Sequence, residues 1–487
     1  MNVSSRTDEM LRAGVPATRD VETDVLVIGA GSGGLSVAYG ASQMGADVTL
    51  LEAHEMGGDC LNYGCVPSKA LIAAAKHAHA MTTGGPFGVA PIEPRVDYAA
   101  AKRHVHRAIA TIAPVDSQAR FEGLGVRVIR ETGRFVDDRT VEAGPYRIRA
   151  RRVVIATGSR PLVPDVPGLE DVPFLTNETI FDLMEAPEHL VILGGGPIGM
   201  EMAQAHVRLG VRVTVIEAGT PLAKDDPELA AIVLDRLRAE GVDIRANAKA
   251  ERVETAEGRI TVRTPAGDVS GSHLLVAAGR KANVEALNLE AAGIAHGRAV
   301  EVDDGLRTTN RRVYAVGDVA GRLQFTHVAG YHGATVIRSI LFGLPAKVRT
   351  DHVPWVTYTD PELAQVGLTE ARAREIHGDA VEVLRFPFAE NDRAVAEGDT
   401  VGLVKVMVAR ARIVGVSIAG PQAGELIALW ALACANKMKV GQVAQMIAPY
   451  PTRSEASKRA AGQYFVPRLF ESDAVKRVVG AVQRWLP

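Results

Sequence analysis

The sequence predicts an α/β chain of several lobes built around two Rossmann-like units, and three observations carry that prediction. The first is length: 487 residues exceed what one hydrophobic core organises, so two to four domains are expected. The second is an internal echo. DVLVIGAGSGGLSVAYGASQMGADVTLLEA, from Asp24 to Ala53, and LVILGGGPIGMEMAQAHVRLGVRVTVIEA, from Leu190 to Ala218, share one plan. Each has an apolar β-rich run, a glycine turn, a helical stretch closing on Gly, and a second β-rich run ending in Glu. The third is spacing. Gly29 to Gly45 and Gly194 to Gly210 are both 16 positions, and Gly29 to Glu52 and Gly194 to Glu217 are both 23.

Each glycine of the two turns has a mechanical task. Gly29 and Gly194 allow the tight strand-to-helix turn. Gly31 and Gly196 let the backbone approach a pyrophosphate without an intervening Cβ, and Gly34 and Gly199 let helix and strand pack closely. The pyrophosphate is then expected at a helix N-terminus, where free N–H groups and the helix dipole favour anions. Glu52 and Glu217 end their strands where a carboxylate can accept hydrogen bonds from an adenosine ribose. At Glu217 that carboxylate would repel a 2′-phosphate, so NADH is expected over NADPH, with Lys224 the one possible phosphate partner nearby.

Composition narrows the functional classes. A formal net charge of −2 gives no electrostatic case for nucleic acid. The first 20 residues lack the apolar stretch of a signal peptide, and no apolar run is long enough to span a bilayer. Three cysteines do not make a disulfide scaffold, so the cytoplasm is the expected compartment.

Two of those cysteines, Cys60 and Cys65, lie in MGGDCLNYGCVPSKALIAAAKHAHAM. Pro67 suits a first helical turn and the run from Ser68 to Met81 predicts a helix. Cys65 therefore lies near a helix N-terminus, which favours thiolate over thiol. Cys60, further out, is expected to exchange with an incoming acceptor. The residues alone also admit a structural pair or half of a metal site. No second Cys pair or spaced His cluster completes a zinc tetrad, so no metal is expected, and because the pair directly follows an FAD-type fingerprint a redox disulfide is the favoured reading.

GGDCLNYGCVPSK resembles the redox-active-disulfide signature of the class I pyridine nucleotide–disulfide oxidoreductases, a family that includes glutathione reductase, dihydrolipoamide dehydrogenase and mercuric reductase. Ala156–Pro161 (ATGSRP) resembles the exit from the FAD domain, Ala278–Asn283 (AGRKAN) the return from the NAD domain, and Tyr314–Val319 (YAVGDV) the second FAD motif. VTYTDPELAQVGLTE from Val356, then FPFAENDRA and IVGVSIAGPQAGELI, resemble the dimerisation domain. The resemblance implies a glutathione-reductase-like fold with two Rossmann-like domains, for FAD and NAD, plus an α+β dimerisation domain. The FAD domain would occupy 21–165 and 285–348, the NAD domain 166–284 and the dimerisation domain 349–470, with tails at 1–20 and 471–487. It also implies cofactor contacts from Gly58, Thr157, Gly158, Gly279 and Asp318, the last on the ribityl chain. Lys69 would lie at the reactive edge of the flavin, paired with Glu201, where a fixed positive charge favours the reduced ring.

The chain departs from the family at one expected site. Disulfide reductases of this family carry His-Pro-Thr-x-x-Glu, whereas this segment reads Tyr450-Pro451-Thr452-Arg453-Ser454-Glu455. A phenol with a pKa near 10 is a poor proton shuttle at neutral pH. A Tyr here resembles mercuric reductase, but no cysteine follows Cys434, so the terminal cysteine pair of that enzyme has no counterpart in this sequence. His327 and His332 are candidates for the flavin or acceptor, Cys434 for a buried core position, and the run from Ser472 to Leu486 for a short terminal helix.

The resulting expectation is an FAD-dependent oxidoreductase that passes a hydride from NADH through FAD to the Cys60–Cys65 disulfide and on to a disulfide or other thiol-reactive acceptor. A homodimer is expected, in which Tyr450 and Glu455 act on Cys60 of the partner subunit. A mercuric or other metal-ion reductase and a redox-sensing flavoprotein without rapid turnover are the alternatives.

Overall fold

A computed structural model of the chain describes residues 19–256 and 258–486. The N-terminal tail expected at 1–20 lies outside them except for Arg19 and Asp20, which already belong to a strand. The chain divides into two compact units. One contains the residues up to Val66, Ala108–Arg160 and Arg280–Val348; the other contains Pro67–Arg107, Pro161–Gly279 and the residues from Arg349.

The first unit is built on a parallel core of strands in the order Arg127–Ile129, Val48–Leu51, Arg19–Ile28, Tyr146–Ile155 and Val313–Ala315. Gly133–Phe135 and Thr140–Ala143 extend it as an antiparallel meander onto the first half of Tyr146–Ile155. Val25, Leu26 and Val27 are fully buried, which is why this strand reads as an unbroken apolar run and not as an alternation. The helix Ser32–Gln43 follows the first strand and packs against Thr326–Phe342. Small residues set that approach: a Cβ on Gly33 would already touch Val316 and Ala329.

The second unit holds the other echo. Its parallel sheet runs Asp243–Arg245, Arg212–Ile216, His189–Leu193 and His273–Val276, with helix Pro197–Arg208 after the glycine turn. A five-stranded antiparallel sheet follows, ordered Pro354–Thr357, Glu362–Gly367, Arg412–Gly420, Leu403–Ala409 and Val381–Pro387. Its core centres on the fully buried Trp430, whose indole N–H donates to Ser457 at 3.0 Å. Cys434 lies in the same core, as the apolar helical run predicts.

The unit boundaries fall at Val66/Pro67, Arg107/Ala108, Arg160/Pro161, Gly279/Arg280 and Val348/Arg349. The segment Pro67–Arg107 groups with the second unit. Its reason is packing: Lys102 donates to the carbonyl of Ile180 at 2.8 Å, and Tyr98 hydrogen-bonds His206 at 3.1 Å.

That contact buries two bases. Lys102 is fully buried and burial pulls its pKa down to about 7, against a weaker pull upward from Asp182. His206, also fully buried, falls to about 3 through burial and then the Lys102 charge. Both folded values lie below the ordinary ones of 10.5 and 6.5, so each base penalises the folded state when protonated. Stability should therefore climb with pH from about 3 to 6.5 on account of His206 and again above about 7 on account of Lys102. Burial of Tyr98, which holds its phenol protonated, opposes the gain above pH 10. Urea melts between pH 7 and 10 should show this upward slope in the native chain. Lys102→Met should flatten it, and a native profile already flat would contradict the account.

Candidate functional site

The two glycine turns share their local physics. Gly29 has φ +107° and Gly194 φ +119°, the left-handed region that glycine enters without strain. A Cβ on either would run into a carbonyl oxygen of the neighbouring strand end, Ala156 and Ala277 respectively. Gly34 and Gly199 leave no room for a Cβ beside the carbonyls of Gly29 and Gly194.

Gly31 and Gly196 differ. Their φ values, −80° and −78°, suit any residue. A Cβ on Gly31 would meet nothing nearer than Gly58 Cα at 3.9 Å, and one on Gly196 would meet no atom within 4 Å. Neither strain nor packing within the chain asks for glycine, so the need comes from a ligand that approaches the backbone. Each residue is also the N-cap of its helix without a side-chain cap, which leaves first-turn N–H groups for an anion. A dinucleotide pyrophosphate fits both places.

Glu52 and Glu217 do more than sequence reasoning expected. Glu52 accepts from the N–H of Ala30 at 2.6 Å and of His54 at 2.7 Å. Glu217 accepts from the N–H of Gly195 at 2.6 Å and of Gly219 at 2.8 Å. Each carboxylate thus pins its own glycine turn while keeping lone pairs for a ribose hydroxyl.

Asp318 is the second anchor of the first unit. It accepts from the Ser159 hydroxyl at 2.5 Å and faces Arg280 Nε at 3.7 Å, while burial pushes its carboxyl up. Arg280 also reaches Asp59 at 3.0 Å, tying the second FAD motif to the residue before Cys60. Thr157 and Asn283 exchange hydrogen bonds, Thr157 Oγ1 to the Asn283 carbonyl at 2.7 Å and Asn283 Nδ2 back at 2.9 Å. Their side chains bind the domain exit to its return. Gly158 and Gly279 take φ +66° and +130° at those crossings, and Gly58 backs closely onto Gly31.

Cys60 sits in the short helix Gly58–Asn62, and Cys65 is the first residue of the helix Cys65–Ala80. That helix begins three residues before the predicted Ser68, so Cys65 lies in its first turn. Both are free thiols. The Cys60 thiol is pushed up by its hydrogen bond to Cys65, then by burial, then by the Cys65 charge. Cys60 is therefore the member of the pair held as a thiol. Cys65 is exposed and Cys60 half-buried, in a short helix whose Leu61 is buried. The Thr326 hydroxyl lies 3.3 Å from Cys65 Sγ and also hydrogen-bonds Cys60, the one side chain near both sulfurs that lowers the Cys60 pKa.

In the second unit Lys69 Nζ pairs with Glu201 at 2.8 Å, as the resemblance implies. Glu201 is buried and also accepts from the Tyr358 N–H at 2.9 Å, while Lys69 lies 4.4 Å over the Tyr358 ring. Salt bridge and ring together fix the ammonium. Tyr450 is exposed, and its hydroxyl donates to Asp392 at 3.0 Å instead of to Glu455. Asp392 pushes the phenol pKa up, so this group stays protonated. Glu455 keeps a buried Oε2 without a hydrogen-bond partner among the described residues.

Of the two candidate histidines, His332 is packed into its helix. His332 is buried, burial lowers it to about 4, and its Nδ1 accepts from the Gly317 N–H at 3.2 Å. His327 stacks on Phe325. Sequence reasoning missed Thr326, Arg280, Tyr358 and Asp392. The stretch FTHVAGYHGAT drew attention to its histidines, whereas the working neighbour of the sulfurs is the threonine that opens that helix.

No group of three His, Cys, Asp or Glu among the described residues could hold a metal ion, and no helix among them is long and apolar enough to cross a membrane.

Comparison with known proteins agrees with this geometry. The model of the pyridine nucleotide-disulphide oxidoreductases matches residues 23–333, and the model of their dimerisation domain matches residues 353–461. Mercuric reductase of Acidithiobacillus ferrooxidans is 36% identical, covering 92% of this chain and 84% of the relative. Dihydrolipoyl dehydrogenase of Geobacillus stearothermophilus is 33% identical, covering 91% and 96%. Among solved structures, the Cu(II) complex of the HOCl-induced flavoprotein disulfide reductase RclA from Escherichia coli superposes with a TM-score of 0.82 at 28% identity, covering 91% of this chain and 99% of that one. LpdA from Mycobacterium tuberculosis gives 0.84 at 27% identity, with the same coverage.

The cysteine geometry makes a directional prediction. Two of the three causes that raise Cys60 come from Cys65, so Cys65→Ala should lower the Cys60 pKa. The pH dependence of iodoacetamide labelling at Cys60 measures this. An unchanged or higher midpoint would refute the shared-proton arrangement.

Proposed function

The chain belongs to the pyridine nucleotide-disulphide oxidoreductases, and from that premise we propose an NADH-driven reductase whose Cys60–Cys65 pair hands electrons to a soft, thiol-binding metal ion in preference to a disulfide. The class itself is established: the chain is an NAD(P)H-dependent flavoprotein oxidoreductase of the disulfide-reductase type. When bound, FAD supplies the two-electron relay between nicotinamide and sulfur.

The observation that carries the preference is Tyr450. Exchange with an organic disulfide releases a thiolate that needs a proton, and general acid–base help there is worth about 10²–10⁴-fold. A phenol raised by Asp392 cannot cycle that proton near neutral pH. A thiophilic cation needs no such proton: it is ligated by sulfur with loss of any thiol proton, accepts two electrons derived from NADH, and leaves the sulfurs to take back those protons when the reduced metal departs. For Hg(II) the net balance is one NADH oxidised to NAD⁺, one metal ion reduced to Hg(0) and one proton released. Tyr450 then serves as a hydrogen-bond donor at the rim. The mercuric reductases among the relatives, and the copper complex of RclA, support this direction.

Lys69, fixed by Glu201 and Tyr358, supplies the positive charge that favours the reduced ring. Glu217 supports NADH, since its carboxylate occupies the place where a 2′-phosphate would need a cation. The match to a dimerisation domain supports a homodimer, in which Tyr450 and Glu455 face Cys60 of the partner subunit. Three cysteines, two of them in the redox pair, make no disulfide scaffold, and the cytoplasm is the compartment proposed.

Steady-state NADH oxidation with lipoamide, glutathione disulfide and Hg(II), run in parallel, tests the acceptor. Hg(II) should turn over fastest, and Tyr450→His should raise lipoamide turnover by roughly tenfold or more. Faster native turnover with lipoamide would overturn the preference, and one stoichiometric reduction with every acceptor would favour a redox sensor. The kcat/KM for NADH should exceed that for NADPH by roughly tenfold or more, and Glu217→Ala should narrow the gap. Equal use of both coenzymes by the native protein would remove the role given to Glu217.

A further inference from the structure

Four arginines converge in the first unit without acidic company. Arg152, Arg307, Arg311 and Arg312 line a cavity of about 330 Å³. The backbone brings them together. Val313–Ala315 pairs in parallel with Val153–Ile155, the Val153 N–H donates to the Arg312 carbonyl at 3.1 Å, and Arg307 bridges Tyr314. Arg152 and Arg312 therefore enter their strands side by side, and Arg307 is held from the flank by donation to the Tyr314 hydroxyl at 3.1 Å.

None of the four makes an ion pair within 4 Å among the described residues, and the Nε atoms of Arg152 and Arg307 are buried without a hydrogen-bond partner. The chain has 57 acidic residues against 55 Lys and Arg, so carboxylates are not scarce; they are absent from this place. Like charges at close quarters destabilise one another, and a buried guanidinium N–H without an acceptor is costly. An anion relieves both.

The cavity is distinct from the first dinucleotide cradle. Strands Arg19–Ile28, Tyr146–Ile155 and Val313–Ala315 run parallel, and the glycine turn follows their C-terminal ends, where Gly29 abuts Ala156. The arginines stand at the opposite end of Val313–Ala315.

We propose that this arginine pocket binds a small polyphosphate, as inorganic pyrophosphate or as the phosphate tail of a nucleotide. Planar guanidinium forks match phosphate oxygens in pairs, and four of them suit an anion with several charges better than a single carboxylate. The room available is at the lower end of small-molecule sites, enough for a diphosphate with its nucleoside pointing outward.

Calorimetry on the FAD-loaded protein with inorganic pyrophosphate, phosphate, AMP and ADP tests the site. Pyrophosphate should bind, and more tightly than phosphate. Arg311→Gln with Arg312→Gln should weaken it about tenfold or more, and Arg152→Lys, which keeps the charge and loses the fork, should weaken it less. ADP binding as tightly as pyrophosphate or tighter, with the same dependence on the arginines, would assign the nucleotide form; weaker ADP would assign the inorganic one. Arg311 is exposed, so Arg311→Gln alone supplies the reading if the double variant loses its flavin. No pyrophosphate binding at millimolar concentration, or equal affinity in native and variant proteins, would overturn the proposal.

Discussion

Both cradles depend on one repeated interaction: a carboxylate at the end of the second strand reaches back and holds the N–H groups of its own glycine turn. Glu52 does so for Ala30 and Glu217 for Gly195, and each also accepts from the N–H two residues beyond itself, His54 and Gly219. Charge-assisted bonds of this kind are roughly twice as strong as neutral ones. They also solve an accounting problem, since a tight turn with left-handed glycines points N–H groups where no strand can meet them. With the turn fixed, the following helix starts in one place and direction, and its uncapped first N–H groups remain free for phosphate. The sequence periodicity of 23 positions between glycine and glutamate is the record of that reach.

A second constraint orients the Lys69–Glu201 pair. Glu201, Gln204 and Arg208 follow one another at helical spacings of three and four residues, so they share a face of Pro197–Arg208. Each is tied to the chain around residue 360: Glu201 to the Tyr358 N–H, Gln204 to the Asp360 backbone, and Arg208 to the Asp360 carboxylate at 2.9 Å and to Glu240. Buried ion pairs seldom add net stability, because desolvation offsets attraction. What they add here is register. A helix held at three successive turns cannot rotate, and the carboxylate that receives Lys69 keeps its place.

Much of this was legible in the sequence because it rests on local spacing. The duplicated turns, the helix running on from Ser68, the Lys69–Glu201 pairing and the burial of Cys434 all follow from short patterns or from a recognised signature. What escaped was non-local. Asp392 is 58 positions from Tyr450, and Thr326 is 261 from Cys65, so no periodicity links them. The arginine pocket was also invisible, since strand pairing alone brings position 152 beside 312.

The contrast between Gly31 and Gly29 separates two properties that usually travel together. Gly29 is a requirement of the polypeptide, so a side chain there would damage folding itself. Gly31 answers only to a visitor, and serine is a better N-cap than glycine. A Gly31→Ser chain could thus keep its architecture, even gain rigidity at the start of that helix, and still refuse its prosthetic group. Such a colourless but intact scaffold would let the contribution of cofactor loading to the lifetime of the native state be weighed apart from that of the polypeptide.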